Sequence, residues 1–171
     1  WMAIYMLIKK QLRKTIKAAN TRSGRFIVLG ALMGGPIGMT GYLLSIKYIG
    51  PAYTAIISSL YPAVGALFSY IFLKEKMKPI SILGLLISIL GIIALGYAPG
   101  GVVNNMPLGF AFAILCVVGW ASEAVICAYG MKEDEISPEQ SLQVRQLTSA
   151  ITYGFIIIPV IKGVKFTISV I

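Results

Sequence analysis

The sequence predicts an all-α fold in which membrane-spanning helices form a polytopic bundle. Hydrophobic residues make up 57% of the chain and charged residues only 12%, whereas an ordinary soluble domain is about 25% charged. A soluble fold would therefore have too few polar side chains to cover its surface. The apolar residues are also gathered into long runs, with the charged residues in short clusters between them, which is the pattern of an integral membrane protein.

Five apolar runs are each long enough to cross a bilayer, which takes about 20 helical residues. They cover residues 26–46, 51–73, 80–98, 108–129 and 142–161, and shorter apolar stretches lie at 1–8 and 165–171. Three runs have a proline at or just before their start, where a missing N–H costs nothing: Pro51, Pro79 and Pro107. Most linkers are short, so neighbouring helices are expected to be antiparallel. Because the chain starts and ends inside apolar stretches, we expect it to be an internal fragment of a larger protein.

The Lys and Arg residues predict the orientation of the helices in the membrane. Alternating helices place three basic clusters on one side, which are residues 9–25, 74–78 and 132–145. These clusters hold twelve of the fifteen Lys and Arg residues; the others are Lys47, Lys162 and Lys165. The linker 99–107, on the sparse side, carries no charge. The basic side is therefore predicted to be cytoplasmic by the positive-inside rule.

The sequence lacks the residue patterns of an enzyme. It has no His, no metal-ligand cluster, no nucleophile–base pair and no Gly-rich phosphate loop. We therefore predict no catalytic residues, no cofactor and no metal site. The net charge of +9 is explained by the clusters that set membrane topology, so no nucleic acid partner is expected. Cys116 and Cys127 would be roughly 16 Å apart on one helix, too far for a disulfide, and are predicted to be packing residues.

The run 26–46 carries a face of small residues at spacings of three and four: Gly30, Gly34, Gly38, Gly41 and Ser45. Such a face lets another backbone approach closely. Pro36 removes one helical hydrogen bond and crowds the carbonyl of Leu32, which predicts a kink. The face indicates either tight helix packing or a hinge beside a substrate cavity, and the second interpretation makes Pro36 a candidate pathway or gating residue.

The run 51–73 carries a stripe of polar and small residues, which are Thr54, Ser58, Tyr61, Gly65 and Ser69. Pro62 would free the carbonyl of Ser58 within this stripe. In lipid these groups must find partners or water. They either line a polar interior or bond back to their own helix. Ser58 and Tyr61 are candidate substrate-binding residues, and Pro62 is a candidate gating residue.

Glu123 is the one charged residue within the run 108–129. Its side chain is too short to reach water at the helix end, since Lys132 is about 13 Å away along a helix. An ionised residue at mid-helix costs around 2.5–3.5 kcal/mol on insertion scales, so it normally faces a partner or a water-filled cavity. Trp120 lies one turn away on the same face. The pair indicates a substrate site; the alternative is a structural Glu in a buried ion pair or protonated and bonded to another helix.

The run 142–161 begins with an unusually polar stretch. Arg145 and Gln146 lie there, at the end predicted to be cytoplasmic. Both are candidate residues for gating the inner mouth of a pathway. Arg145 could equally hold a carboxylate, or extend its charged group to the membrane interface.

One long stretch resembles the end of the first repeat in the drug/metabolite transporter superfamily, EamA-like branch. It reads GPAYTAIISSLYPAVGALFSYIFLKEKMKPISILGLLISILGIIAL. The resemblance implies part of a ten-helix transporter built from two inverted five-helix repeats. Residues 1–98 would then end the first repeat, 99–107 would be a periplasmic linker, and 108–171 would start the second repeat.

A narrower resemblance is to the lic-type choline importers. It is carried by GPIGM, KYIG, LYP, GWASEAV and VRQLTS, in this order along the chain. The resemblance implies that aromatic residues and one acidic residue hold choline, which transfers to Trp120 and Glu123 with Tyr61 and Tyr42. The chemistry agrees, because a quaternary ammonium has no N–H to donate and is recognised by aromatic faces.

The expected function is that of a secondary transporter in a bacterial inner (plasma) membrane. Its substrate would be a small organic cation, choline being the expected one, taken up by alternating access. Its partners would be this substrate and the lipid bilayer, with the oligomeric state left open between a monomer and a homodimer. Two alternatives stand beside it: a proton-coupled exporter of drugs or metabolites, and a non-transporting membrane scaffold.

Overall fold

The fold is helical throughout the part of the chain that the computed structural model describes, which is residues 5–6, 9–96, 103–133 and 136–160. The helices are α1 Leu12–Ala19, α2 Arg22–Leu32, α3 Met39–Ser58, α4 Tyr61–Phe68, α5 Pro79–Gly96, α6 Met106–Gly130, α7 Pro138–Thr152 and α8 Ile158–Val160. Three π-helical turns, Met33–Gly38, Ser69–Leu73 and Tyr153–Ile157, and the 3₁₀ turn Met131–Glu133 adjoin them. These residues contain no strand, in agreement with the all-α prediction.

Some predicted segments lie wholly or partly outside the described residues. They are 165–171, all of 1–8 except Tyr5 and Met6, the end of 80–98, the first part of 99–107, and residue 161. The described residues form two compact units, of which one is Met33–Val125 and the other combines Trp1–Leu32 with Ile126–Ile171.

Within the unit Met33–Val125, two interruptions divide the chain into short helices. Gly50 has φ 82° and ψ 166°, which is non-helical and kinks α3 immediately before Pro51. Glycine adopts this positive φ without the steric cost that other residues meet. The predicted single helix 51–73 is divided in the structure, because α3 ends at Ser58 and α4 begins at Tyr61. Pro62 has no N–H for the Ser58 carbonyl, so the helical ladder stops there.

The glycine face is a packing surface in this unit. A Cβ atom placed on Gly119 of α6 would lie only 2.9 Å from Gly38 Cα and 2.7 Å from the carbonyl oxygen of Met33. A Cβ atom on Gly41 would lie 2.9 Å from the carbonyl oxygen of Phe112. The chain at 33–41 and α6 are therefore in backbone-to-backbone contact, as small residues at spacings of three and four predict.

The other unit packs α1, α2 and α7 together. Its core contains Ala18, Ile27, Ile136 and Val144. The predicted linker 9–25 contains α1, a short helix that periodicity over long apolar runs did not indicate. Helix α7 begins four residues before the predicted start at 142. Ser137 and Gln140 form a capping box there, which stabilises the first turn by satisfying backbone N–H groups.

Among the described residues, two helices are long and apolar enough to cross a membrane, Arg22–Ser58 and Met106–Gly130. Two shorter apolar helices span Tyr61–Leu73 and Pro79–Ile92. The break after Ser58 explains in part why fewer helices than the five predicted runs reach this length. Helix α5 also exposes a series of large apolar side chains, which are Ile80, Ile82, Leu83, Leu86, Ile87 and Leu90. Contiguous apolar exposure of this kind is expected of helices that face lipid or other helices.

Candidate functional site

The candidate site lies in the unit Met33–Val125, where α6 carries Trp120 and Glu123 on one face. A spacing of three residues places their side chains about one turn apart. Glu123 is only 8% exposed, and Trp120 is half-buried. The two side chains lie on the same face of α6, as the sequence predicts, and both contact Gly34.

Gly34 holds the Trp120 indole in place. Its carbonyl oxygen accepts a hydrogen bond of 3.1 Å from Nε1 of Trp120. Gly34 belongs to the π turn Met33–Gly38, which contains Pro36. This turn is the local distortion that Pro36 predicts, and single π turns inside helices are rare and frequently found at functional sites. Because Gly34 has no side chain, the indole can reach the helix backbone.

Gly34 also makes room for the Glu123 carboxyl group. A Cβ atom placed on Gly34 would overlap Oε2 and Cδ of Glu123. A Cβ atom on Gly38, one turn further along, would come within 2.8 Å of Cδ1 of Trp120. The Glu123 carboxylate and the Trp120 indole thus pack against the backbone at these two glycines. A larger residue at Gly34 would displace the carboxylate, and one at Gly38 would displace the indole.

Two tyrosine rings surround the Trp120 indole. The Tyr42 ring stacks on it with centroids 5.5 Å apart and an interplanar angle of 27°. The Tyr61 ring stands nearly perpendicular to it, also at 5.5 Å, with an interplanar angle of 87°. Both arrangements are favourable for aromatic pairs. Trp120 and Tyr61 form a corner of two perpendicular rings, and Tyr61 remains 41% exposed.

The polar stripe of the predicted run 51–73 is satisfied locally. Ser58 is buried and donates to the carbonyl oxygen of Ala55, 3.1 Å away, on its own helix. Thr54 lies 2.8 Å from Ser45 and donates to the carbonyl oxygen of Gly50. Of the two interpretations of this stripe, bonding within the chain is therefore the one observed for Ser58 and Thr54.

Pro62 directly follows Tyr61 in the chain and is exposed in the first turn of α4. Arg145 and Gln146 are exposed on α7, in the other unit. The buried polar residues of α7 are Ser141 and Gln143, and the Gln143 side chain is only 1% exposed.

Sequence reasoning missed two features that matter. The first is the role of Gly34 as the meeting point of Trp120 and Glu123, since its spacing indicated a packing face or a hinge but no particular partner residues. The second is Gln143, which is hydrogen-bonded to Thr15 at 2.5 Å and to Gln11 at 2.6 Å. A Gln and a Thr facing inward on two amphipathic helices are a signal for such a pair, but they were assigned to a linker and a polar helix end.

The arrangement suits the binding of a cation. A buried carboxylate supplies negative charge, and the aromatic rings beside it supply π faces that attract cations. The described residues contain no group of His, Cys, Asp or Glu suited to a metal ion.

The fold and the site define a helical integral membrane protein with a carboxylate buried inside it. Residues 1–97 match the model of the EamA-like transporter family, and the chain belongs to that family. The chain is also 39% identical over 137 residues to Protein LicB of Haemophilus influenzae. The aligned region covers 80% of this chain and 46% of LicB, so the chain spans just under half the length of that relative. The predicted resemblance to the EamA-like family and its lic-type members is confirmed.

Proposed function

We propose that the chain forms part of a secondary transporter that takes up choline across a bacterial inner membrane. The observation that carries this proposal is the convergence of Glu123 and Trp120 on Gly34, with the rings of Tyr42 and Tyr61 around the indole. Family membership supports transport in general. The choice of choline rests on the chemistry of this cluster and on the similarity to LicB.

A quaternary ammonium is the cation that this cluster fits best. Its methyl groups cannot donate conventional hydrogen bonds, so a site must attract it through charge and aromatic faces. A cation over an aromatic face gains about 0.5–2 kcal/mol, most where water is excluded. Trp120 and Tyr61 offer two faces at right angles, while Tyr42 backs the indole. Glu123 would balance the charge of the cation. The Ser58 hydroxyl donates its proton to the Ala55 carbonyl oxygen, so only its own oxygen atom would be available to the substrate.

The irregular backbone beside the site supports alternating access. The π turn at Pro36, the kink at Gly50 and the break before Pro62 interrupt helices that would otherwise be stiff. Transporters of inverted-repeat architecture place their sites at such interruptions near the middle of the membrane. We assign Pro36 and Pro62 to the moving pathway and Arg145 with Gln146 to its cytoplasmic mouth.

The same proposal fixes the place of the chain in a ten-helix protein. Residues 1–98 would complete the first inverted repeat, 99–107 would be periplasmic, and 108–171 would start the second repeat. The helices of the whole protein that lie outside this chain would complete the site. The proposal holds equally for a monomer and for a homodimer.

Uptake of labelled choline into proteoliposomes made with the full-length protein tests the proposal. A choline importer takes up label that unlabelled choline competes for. A proton-coupled exporter would instead show counterflow driven by a pH gradient, with drugs as better competitors. A scaffold would show no flux above protein-free liposomes, and either of these results would overturn the proposal.

Replacing Trp120 with Leu should raise the KM for choline about fivefold or more. The substitution keeps apolar bulk but removes the ring quadrupole, which is worth about 1 kcal/mol or more in a desolvated site. Trp120→Phe is the matched control, because it keeps a smaller π face and loses the N–H bond to the Gly34 carbonyl. Its KM should lie between the other two, and equal KM values for all three proteins would remove Trp120 from the substrate site.

The proposed orientation predicts the reactivity of two engineered cysteines. Asn104 donates to the carbonyl oxygen of Lys47, so the segments around these two residues lie together; the positive-inside rule predicts that both are periplasmic. In a background lacking Cys116 and Cys127, Asn104→Cys should react with an impermeant thiol reagent in intact cells. Ser137→Cys should react only after the membrane is opened.

The reverse labelling pattern would invert the bundle. The proposed cytoplasmic position of Arg145 would then be wrong, and Arg145 would lie at the periplasmic opening of the pathway. The acidic linker 132–140 makes this measurement necessary, because the positive-inside rule counts only Lys and Arg and that linker contains one of them.

A further inference from the structure

The basic segment 9–25 forms a surface that the proposed transport site does not use. It holds seven Lys and Arg residues: Lys9, Lys10, Arg13, Lys14, Lys17, Arg22 and Arg25. Membrane topology requires positive charge on this side but not a helix. The segment nevertheless folds into α1 before α2 begins at Arg22.

The inner face of α1 is fixed by buried polar contacts within its own unit. Thr15 is fully buried and lies 2.5 Å from Oε1 of Gln143. Nε2 of Gln143 donates to Oε1 of Gln11, 2.6 Å away. Ala18 is buried beside them in the apolar core with Ile27. A helix held on one side by these contacts cannot rotate freely, so its opposite face is presented in one orientation.

The opposite face of α1 is cationic and carries one exposed apolar side chain at its edge. Arg13, Lys14 and Lys17 are exposed, and Ile16 is 55% exposed. Residues 13, 14, 16 and 17 share one half of a helix at 100° per residue, with Ile16 at the end of this arc nearest Arg13, while Thr15 and Ala18 occupy the other half. An exposed Ile beside a row of basic residues is the pattern of a helix that lies on a membrane surface.

The position of α1 brings this face to a membrane surface. Only Asn20 and Thr21 separate it from Arg22, where the helix Arg22–Ser58, long enough to cross a membrane, begins. Arg22 and Arg25, in the first two turns of that helix, are exposed as well. Basic clusters next to a spanning helix on its cytoplasmic side attract anionic lipid headgroups, and the attraction adds with each Lys or Arg near the surface.

We propose that the outer face of α1 binds the headgroups of anionic phospholipids, with Ile16 inserted between them. The charge complementarity and the fixed orientation of the helix carry this assignment, which is independent of the transported substrate. The buried Gln143 contacts would transmit the lipid contact to α7, because they join α1 to that helix. Anionic lipid would therefore stabilise the unit that contains both.

A fluorescent label at residue 16 tests this proposal. The full-length protein carries Ile16→Cys in a background lacking Cys116 and Cys127, and is placed in nanodiscs of phosphatidylcholine with increasing phosphatidylglycerol. An environment-sensitive label should shift its emission to shorter wavelength as phosphatidylglycerol increases, and high salt should reverse the shift. Identical emission in the two lipids would overturn the proposal.

Charge variants separate this surface from general attraction of a cationic protein. Replacing Arg13, Lys14 and Lys17 together with Gln should raise the phosphatidylglycerol fraction needed for half the shift at least about fivefold. The matched control replaces Lys74, Lys76 and Lys78 with Gln, which removes the same charge from another exposed cluster. Its response should stay at the level of the parent protein. An equal loss in both variants, or a response to a soluble polyanion such as heparin with none to lipid, would overturn the assignment.

Discussion

The variant Glu123→Gln should take up no choline above the background of cells without the transporter, while reaching the membrane in normal amount. Glu123 is buried beside Gly34 and within one turn of Trp120. The substitution keeps the size and hydrogen-bonding capacity of the side chain and removes only its negative charge. A bound quaternary ammonium would then lack its counter-charge in a region where water is scarce, and such an uncompensated charge costs several kcal/mol.

Insertion of this variant should be unaffected. Neutralising a carboxylate within a spanning helix makes its transfer into lipid easier. Uptake and membrane content are measured on the same cells, with Glu75→Gln as the control because Glu75 is an exposed acid in the basic cluster 74–78. Wild-type uptake by Glu123→Gln would contradict this prediction. It would favour the alternative interpretation, in which Glu123 is a structural residue in a buried pair.

Two of the three runs with a proline at their start were predicted well. Helix α5 begins at Pro79 and α6 begins one residue before Pro107, because proline fits the first turn and cannot continue a preceding helix. The run 51–73 was predicted less well. Apolar composition is the same on both sides of Ser58, so it does not show that a single missing N–H at Pro62 ends the ladder.

The candidate site was predictable only where it depends on one helix. Trp120 and Glu123 share a face because they are three residues apart, and that holds wherever α6 lies. Their convergence on Gly34 depends on the register between two segments, in which Trp120 and Gly34 are 86 residues apart in sequence. The spacing of the glycines predicts that this face makes a close contact. It does not predict which residues of another helix the glycines contact. The pairing of Gln143 with Thr15 is hidden for the same reason.

The second large effect is expected from Gly119→Ala, which adds one methyl group between two helices. Its Cβ atom would lie 2.7 Å from the Met33 carbonyl oxygen and 2.9 Å from Gly38 Cα. Both are backbone atoms, so no side-chain rotation can relieve the overlap and the helices must separate. Overpacking of this kind costs typically about 1–3 kcal/mol. It would also shift the neighbouring Trp120 away from the Gly34 carbonyl, so choline uptake should fall together with stability.

Unfolding of the purified protein by SDS in mixed micelles measures the loss, and uptake in proteoliposomes measures its consequence. Gly84→Ala is the matched control, because the Cβ position at Gly84 has nothing within 4 Å beyond its chain neighbours and its own helix backbone and Ala is favoured over Gly in a helix by about 1 kcal/mol. That variant should be as stable as the parent protein or slightly more stable. If Gly119→Ala unfolds at the same SDS fraction as Gly84→Ala, the backbone contact at Gly119 does not form. The packing of Gly34 and Gly38 against Trp120 and Glu123 would then be in doubt too, since the Gly119 contact joins α6 to Gly38 and the π turn.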